Sequence, residues 1–212
     1  MPYYRYGSSI LSVCLSRRWC VKSGFVRESA RPALLRAAHE AFGVRGFDAV
    51  SLDEVAAAAD VTKGSLYHHF ASKADLFGAV YRAELERQVC LWGDAYAQAG
   101  SSWQAFQASC LAYLDLIREP RARRIAVVEA PAVLGLAAFR QIEDELAKPA
   151  MITAIASAMD AGDIERRAVE PVAHLIFAAL CEAAMQMDRA DNFDAAQTAW
   201  IAELRRMFKG LR

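Results

Sequence analysis

Between Ser51 and Asp75 the chain carries two cap signatures and a polar turn, a spacing that leaves room only for short helices joined by tight corners. Ser51-Leu-Asp-Glu54 has the form of a capping box. The serine hydroxyl and the glutamate carboxylate each satisfy a backbone N–H that the first helical turn leaves open. Ser72-Lys-Ala-Asp75 is a second signature of the same kind. Between them the pattern predicts a helix over Leu52 to Ala59, a turn at Asp60-Val61-Thr62 and another helix over Lys63 to His69. Ala56 is the small residue that lets the two helices approach, Asp60 tolerates a left-handed backbone better than most residues, and Val61 plugs the space between. Two short helices meeting at a tight turn make a helix-turn-helix.

The flanking segments read as helices too. Leu35, Ala38 and Phe42 recur at helical spacing over Pro32 to Val44, with Pro32 suited to a first turn and Gly46 to a stop. Phe47 is the expected anchor of the small core, and a long helix runs from Ser72 through Leu76, Phe77, Val80 and Tyr81 toward Trp92. Beyond Gly100, Trp103, Phe106, Cys110, Tyr113, Leu114 and Ile117 form an apolar stripe that Pro120 ends. Segments at Arg121 to Ala130, Val133 to Asp160 with a break at Pro149, Pro171 to Arg189 and Phe193 to Phe208 complete about nine helices. No strand pattern or repeat is present. With 55% hydrophobic residues but only 11 Gly and 6 Pro in 212, the expected fold class is all-α.

Lys+Arg and Asp+Glu both number 25, so no global attraction to nucleic acid or anionic lipid exists, and any such binding must come from a local patch. The region Pro32 to Arg87 holds six Lys/Arg against eight Asp/Glu, whereas Met1 to Arg31 holds six against Glu28 alone. A basic, disordered tail is expected over residues 1–27. Its apolar run around Ile10 to Leu15 is too short for a signal peptide and is followed directly by Arg17-Arg18. Cys14, Cys20, Cys90, Cys110 and Cys181 form no CxxC pair or disulfide framework, which suits a reducing cytoplasm, and no uncharged apolar run suggests a membrane partner. His68-His69 are adjacent and cannot share a metal, while His39 and His174 lack a ligand at i+4, so neither a metal site nor a cofactor is expected. Arg121, Arg123 and Arg124 read as a solvated face.

The run Ser51-Leu-Asp-Glu-Val-Ala-Ala-Ala-Ala-Asp-Val-Thr-Lys-Gly-Ser-Leu-Tyr-His-His-Phe70, followed by Ala-Ser-Lys73-Ala-Asp75-Leu76, closely resembles the DNA-binding region of TetR-family transcriptional regulators. The resemblance extends over residues 28–88, with the motif at 51–70. It implies that Ser51, Thr62, Lys63, Gly64, Ser65, Tyr67, His68, His69 and Lys73 form the DNA-binding surface. Tyr67 and His69 would donate to phosphates, Lys73 would add a charged contact, and His68 would fill the variable position. The residue chemistry agrees: a recognition helix needs small or polar residues in its first turn to reach base edges, and Thr62 is positioned to cap it. Leu66 and Phe70 should point inward.

The resemblance further implies that residues 89–212 form an effector-binding and dimerisation domain. Trp92, Trp103, Phe106, Tyr113, Phe139 and Met151 are the candidate pocket for a small, apolar or aromatic effector of unknown identity, although plain core packing explains such stripes equally well. Val172, Leu175, Ile176, Ala179, Ala183 and Met187, with Trp200, Leu204 and Phe208, are the candidate homodimer interface. The function expected is that of a sequence-specific repressor that binds a palindromic double-stranded operator as a dimer and is released by its effector. A helical enzyme lacks support, because no Ser/His/Asp set, phosphate loop or Asp-rich motif appears. A binding protein that kept the fold without DNA recognition would have no use for the run from Thr62 to Lys73.

Overall fold

The computed structural model describes residues 30–97 and 100–212, excepting the side chain of Tyr96, so the expected basic tail lies outside the described residues. Among these residues the secondary structure is helical throughout. The helices are α1 (Ala30–Arg45), α2 (Leu52–Ala58), α3 (Lys63–His69), α4 (Lys73–Ala97), α5 (Ser102–Leu116), α6 (Pro120–Leu146), α7 (Lys148–Asp160), α8 (Val169–Arg189) and α9 (Phe193–Lys209).

α1 buries Leu34, Leu35, Ala38 and Phe42. It ends where Gly46, at φ 87°, donates its N–H to the Phe42 carbonyl at 2.8 Å. That left-handed stop suits glycine, and a Cβ there would also lie 2.6 Å from Glu129 Oε1. Phe47 then turns inward, packing edge-on against Phe77 at 5.4 Å and beside Phe42 at 5.8 Å. α4 is long because its inward face, from Leu76 and Phe77 through Val80 and Tyr81 to Leu85, never runs out of neighbours. It passes position 88 without a break and packs along both α5 and α6.

α6 departs most from the expected pattern. Glu119 caps its first turn, accepting from Arg121 N and Ala122 N, and Pro120 occupies the position where its missing N–H costs nothing. Arg124–Glu129 is π-helical, and Gly135 (φ 74°, ψ 156°) interrupts the remainder. The break expected at Pro149 falls at Ala147, with Pro149 in the first turn of α7, and Gly135 adds an interruption that was not expected. By length and mean hydropathy α6 could cross a membrane; 17% of its most apolar stretch is buried, and the π segment and Gly135 interrupt it.

Two cores result. One joins α1–α4 to Ile125, Ala130 and Ile142 of α6. The other gathers Trp103, Phe106, Leu114 and Ile117 of α5 with α7, α8, α9 and Val127. Ile125 and Val127, two residues apart in the π segment, thus serve different cores.

α8 buries Ala173, Ile176, Leu180, Ala183, Ala184 and Met187, and α9 buries Gln197, Leu204 and Phe208. Ile176, Ala183, Met187, Leu204 and Phe208, expected at a dimer interface, are therefore interior residues of one subunit. α8 carries two apolar stripes, and periodicity alone does not say which one faces inward.

Candidate nucleic-acid interface and inner cavity

Local chemistry sets the geometry of the helix-turn-helix. Ser51 Oγ accepts from Glu54 N at 3.2 Å while Ser51 N donates to Glu54 Oε2 at 2.8 Å, closing the capping box. Hydrogen bonds from the Ser51 backbone, from Arg45 and from the Ser51 hydroxyl hold the Glu54 carboxyl down to about 2. After α2, Asp60 adopts φ 53°, the left-handed corner expected of it, and Val61 N donates to Ala56 O at 3.0 Å. Thr62 Oγ1 then accepts from Ser65 N at 3.1 Å and fixes the start of α3. Leu66 and Phe70 are buried, as the pattern required.

The remaining side chains of α3 face outward. Lys63, Tyr67, His68 and His69 are all exposed, with the Tyr67 ring 49% accessible. Lys63 and Tyr67 stand one helical turn apart, so an ammonium and a phenol share one face. Gly64 between them has no internal reason to be glycine: its φ is unremarkable, and an added Cβ would meet nothing closer than Thr62 Oγ1 at 4.0 Å. Ser65 is half-buried, and the Ser51 hydroxyl is engaged in its own cap with Glu54. Lys63 is held by Asp53 at 2.8 Å, which raises its pKa, and Lys73 reaches back to the Asp48 carbonyl at 3.3 Å over the Phe47 ring. Both ammonium groups have protein partners that an anion could replace.

α6 grips the end of α1 beside this module. Arg124 Nη1 donates to Val44 O at 2.6 Å, Phe47 N donates to Glu129 Oε2 at 2.7 Å, and Arg121 pairs with Glu40. Gly43 allows the approach, since a Cβ there would lie 2.7 Å from Arg121 Cβ. Arg123 pairs with Asp188 at 2.9 Å. The three arginines read as a solvated face are thus fasteners between elements.

A cavity of about 760 Å³ lies among α4, α5, α6, α7 and α8. Trp92, Phe106, Tyr113, Phe139 and Met151 line it. Trp103 does not: it is fully buried in the second core, stacked on Phe106 at 5.3 Å and edge-on to Phe208 at 5.6 Å. Trp92 meets Tyr113 edge-on at 5.6 Å, and Phe139 stacks on Tyr81 at 5.5 Å. The wall also carries polar residues that the sequence reading did not place in the pocket, chiefly Glu143, Lys148 and Cys181. Burial raises Glu143 to about 7, pushes the Cys181 thiol up to about 12 and raises Cys110 further, so neither thiol is activated.

Comparison with known proteins decides the family. Residues 34–80 match the family described as bacterial regulatory proteins, tetR family, and residues 103–211 match the tetracyclin repressor-like C-terminal domain. The crystal structure of a TetR-family transcriptional regulator from Pectobacterium atrosepticum superposes with a TM-score of 0.75 at 30% identity, over 88% of this chain and 97% of that one. This chain belongs to the TetR family.

Among curated TetR-type relatives, the transposon Tn10 TetC protein of Escherichia coli is 32% identical over 112 residues, covering 51% of this chain and 54% of that protein. The transcriptional activator FasR of Mycolicibacterium smegmatis is 36% identical over 91 residues, covering 43% and 42%. The chain thus spans about half the length of the curated relatives it matches. The TetR family consists of transcriptional regulators rather than enzymes. In this TetR-family chain a second stripe of α8 runs through Val172, Leu175, Ala179, Glu182 and Gln186; Leu175 is 71% exposed, while Val172 and Ala179 are half-buried against the second core. A shallow groove lined by Glu182, Gln186, Ala196 and Trp200 continues it onto α9.

Proposed function

We propose that this chain is a cytoplasmic, homodimeric repressor that reads a palindromic operator and leaves it when a small apolar or aromatic molecule fills the inner cavity. The observation that carries this reading is one continuous element, α6, which contributes to both sites. Ala126, Val127 and Pro131 line the cavity, while Arg124 and Glu129 in the same turns hold the end of α1. A ligand that prefers one setting of α6 therefore biases the setting of the helix-turn-helix, by no more than its affinity difference between the two.

In this reading residues 28–88 carry DNA recognition and 89–212 carry effector binding and dimerisation. Lys63 exchanges Asp53 for phosphate, Tyr67, His69 and Lys73 position the module, and the bare Gly64 lets the α3 backbone approach the groove while His68 meets a variable position. Thr62 holds the helix start. Dimerisation uses the second stripe of α8 with Trp200, so Val172, Leu175, Ala179 and Trp200 keep the role expected of them. A two-fold pair of recognition helices about 34 Å apart suits an imperfect palindrome.

Purified protein is used to select genomic fragments at about 150 mM salt, where sequence-independent binding is suppressed. The expected result is one palindromic site whose retention is lost in Lys63→Ala and Tyr67→Ala, and a reporter behind that site that is silent until effector is added. Enrichment of no site would refute DNA recognition. A reporter that needs the protein for expression would overturn repression alone.

A further inference from the structure

Among the described residues the cavity wall has two buried polar groups without a strong partner: the Trp92 indole N–H, which has no acceptor, and the Glu143 carboxyl. Glu143 on α6 is 5% exposed, and among the described residues its hydrogen-bonding contact is a weak one, from the Cys181 thiol at 3.9 Å. Buried carboxyls are ordinarily satisfied by strong donors, so such an exception calls for a reason. The charged and titratable groups around it do not supply one. Tyr81 on α4 and Tyr113 on α5 are neutral phenols that burial keeps protonated. On α6, Asp144 is taken by Lys148 of α7, whose ammonium also lies 5.5 Å from the centre of the Phe177 ring; Arg140 is exposed but also lines the cavity, and Lys148 and Arg140 act on Glu143 through charge, lowering its pKa by less than burial raises it. On α8, Cys181 stays a thiol and His174 bonds the Glu170 carbonyl at 2.8 Å.

Aromatic residues make up part of the remaining wall: Tyr81, Trp92, Phe106, Tyr113, Phe139 and Phe177. Ring faces attract cations, most strongly where water is excluded, and an apolar body fills the remaining volume without cost. A carboxylate ligand would meet Glu143 itself, and of the two cations lining the wall Lys148 is already neutralised by Asp144 while Arg140 is solvent-exposed, where water and salt screen it. We propose that the effector is a lipophilic cation, an amine or quaternary ammonium on an apolar body, with its charge against Glu143 and the aromatic wall. This deepens the reading of the cavity as the effector site and rests on it.

The pH dependence follows from Glu143 titrating near 7. A permanent cation prefers the ionised carboxylate, so its affinity rises by about tenfold from pH 6 to pH 8 as that form goes from a minor to the major population.

The test uses the full chain and N-phenyl-1-naphthylamine, a neutral fluorescent probe, displaced by decyltrimethylammonium, decanol or decanoate. These share one apolar chain and differ in head group. The ammonium is expected to displace the probe at concentrations at least about tenfold below the other two, with the pH rise above. In Glu143→Gln, which retains His174, preference and pH dependence should both disappear while probe binding persists. Decanoate or decanol displacing best, or an unchanged order in Glu143→Gln, would overturn the cation assignment and leave the effector cavity standing. A probe that never binds the native chain would overturn the cavity reading itself. Should Glu143→Gln fail to hold the probe, the head-group order and pH slope of the native chain decide.

Discussion

Two glutamates show how differently a fold treats the same side chain. Glu84 is 2% exposed, and burial alone would raise its pKa, yet hydrogen bonds from His39, Arg87 and Gln88 outweigh that and hold it at about 2. Its folded pKa lies below the ordinary value of 4.5, so its stabilising contribution is present above that value and is lost as pH falls toward 2. Glu143 is the reverse case. With its folded pKa near 7, the unfolded chain ionises first, and stability declines as pH rises from 4.5 to 7 and stays lower beyond. Glu143→Gln should therefore leave stability near pH 4.5 little changed and raise it on the order of 2 kcal/mol at pH 8. Glu84→Gln should weaken the chain at pH 7 and flatten the acid limb below 4.5. Urea unfolding followed across pH reads both, and equal pH profiles for native chain and variants would refute the assignments.

At the scale of the element, α3 is only seven residues long, too short to persist on propensity alone. It is held by its ends and by one buried residue: Thr62 Oγ1 on Ser65 N, Phe70 N on Leu66 O, and Leu66 in the core. Thr62→Ala should cost roughly 1 kcal/mol in global stability and fray the start of α3, while Thr62→Ser restores both. Amide exchange at Ser65 reports the fraying directly. Equal protection in Thr62→Ala and the native chain would show that packing, not the cap, sets the helix start. These devices were legible in the sequence because capping residues act on backbone groups within four positions. The π segment of α6 was not, since Ile125 and Val127 serve different cores while Arg124 and Glu129 hold the end of α1, demands that no local pattern records.

At the scale of the whole molecule, the question is which apolar surface the fold consumes. α8 has the stripe of Ile176, Leu180, Ala183 and Met187 inside and an outer stripe in which Leu175 is exposed and Val172 and Ala179 are half-buried. If the outer stripe is the dimer contact, Leu175→Arg should yield monomers by light scattering at micromolar concentration, with thermal unfolding still cooperative and palindrome affinity reduced by tenfold or more. A variant that remains dimeric would move the interface elsewhere. Ile176→Arg, by contrast, should unfold the chain, because it puts a charge into a filled core.

The sequence by itself determined the all-helical class, the capping box at Ser51, the left-handed corner at Asp60 and the outward donors of α3, because each depends on backbone chemistry or on helical spacing over a few residues. It also singled out Trp92, Phe106, Tyr113, Phe139 and Met151, without distinguishing cavity wall from core. Only the tertiary structure sent Trp103 into a filled core, turned Ile176, Ala183, Met187, Leu204 and Phe208 inward, set Arg121 and Arg124 against α1, and left Glu143 without a strong donor. Those outcomes depend on which of several apolar faces meets which neighbour across dozens of residues, and that competition is decided by packing the whole chain at once.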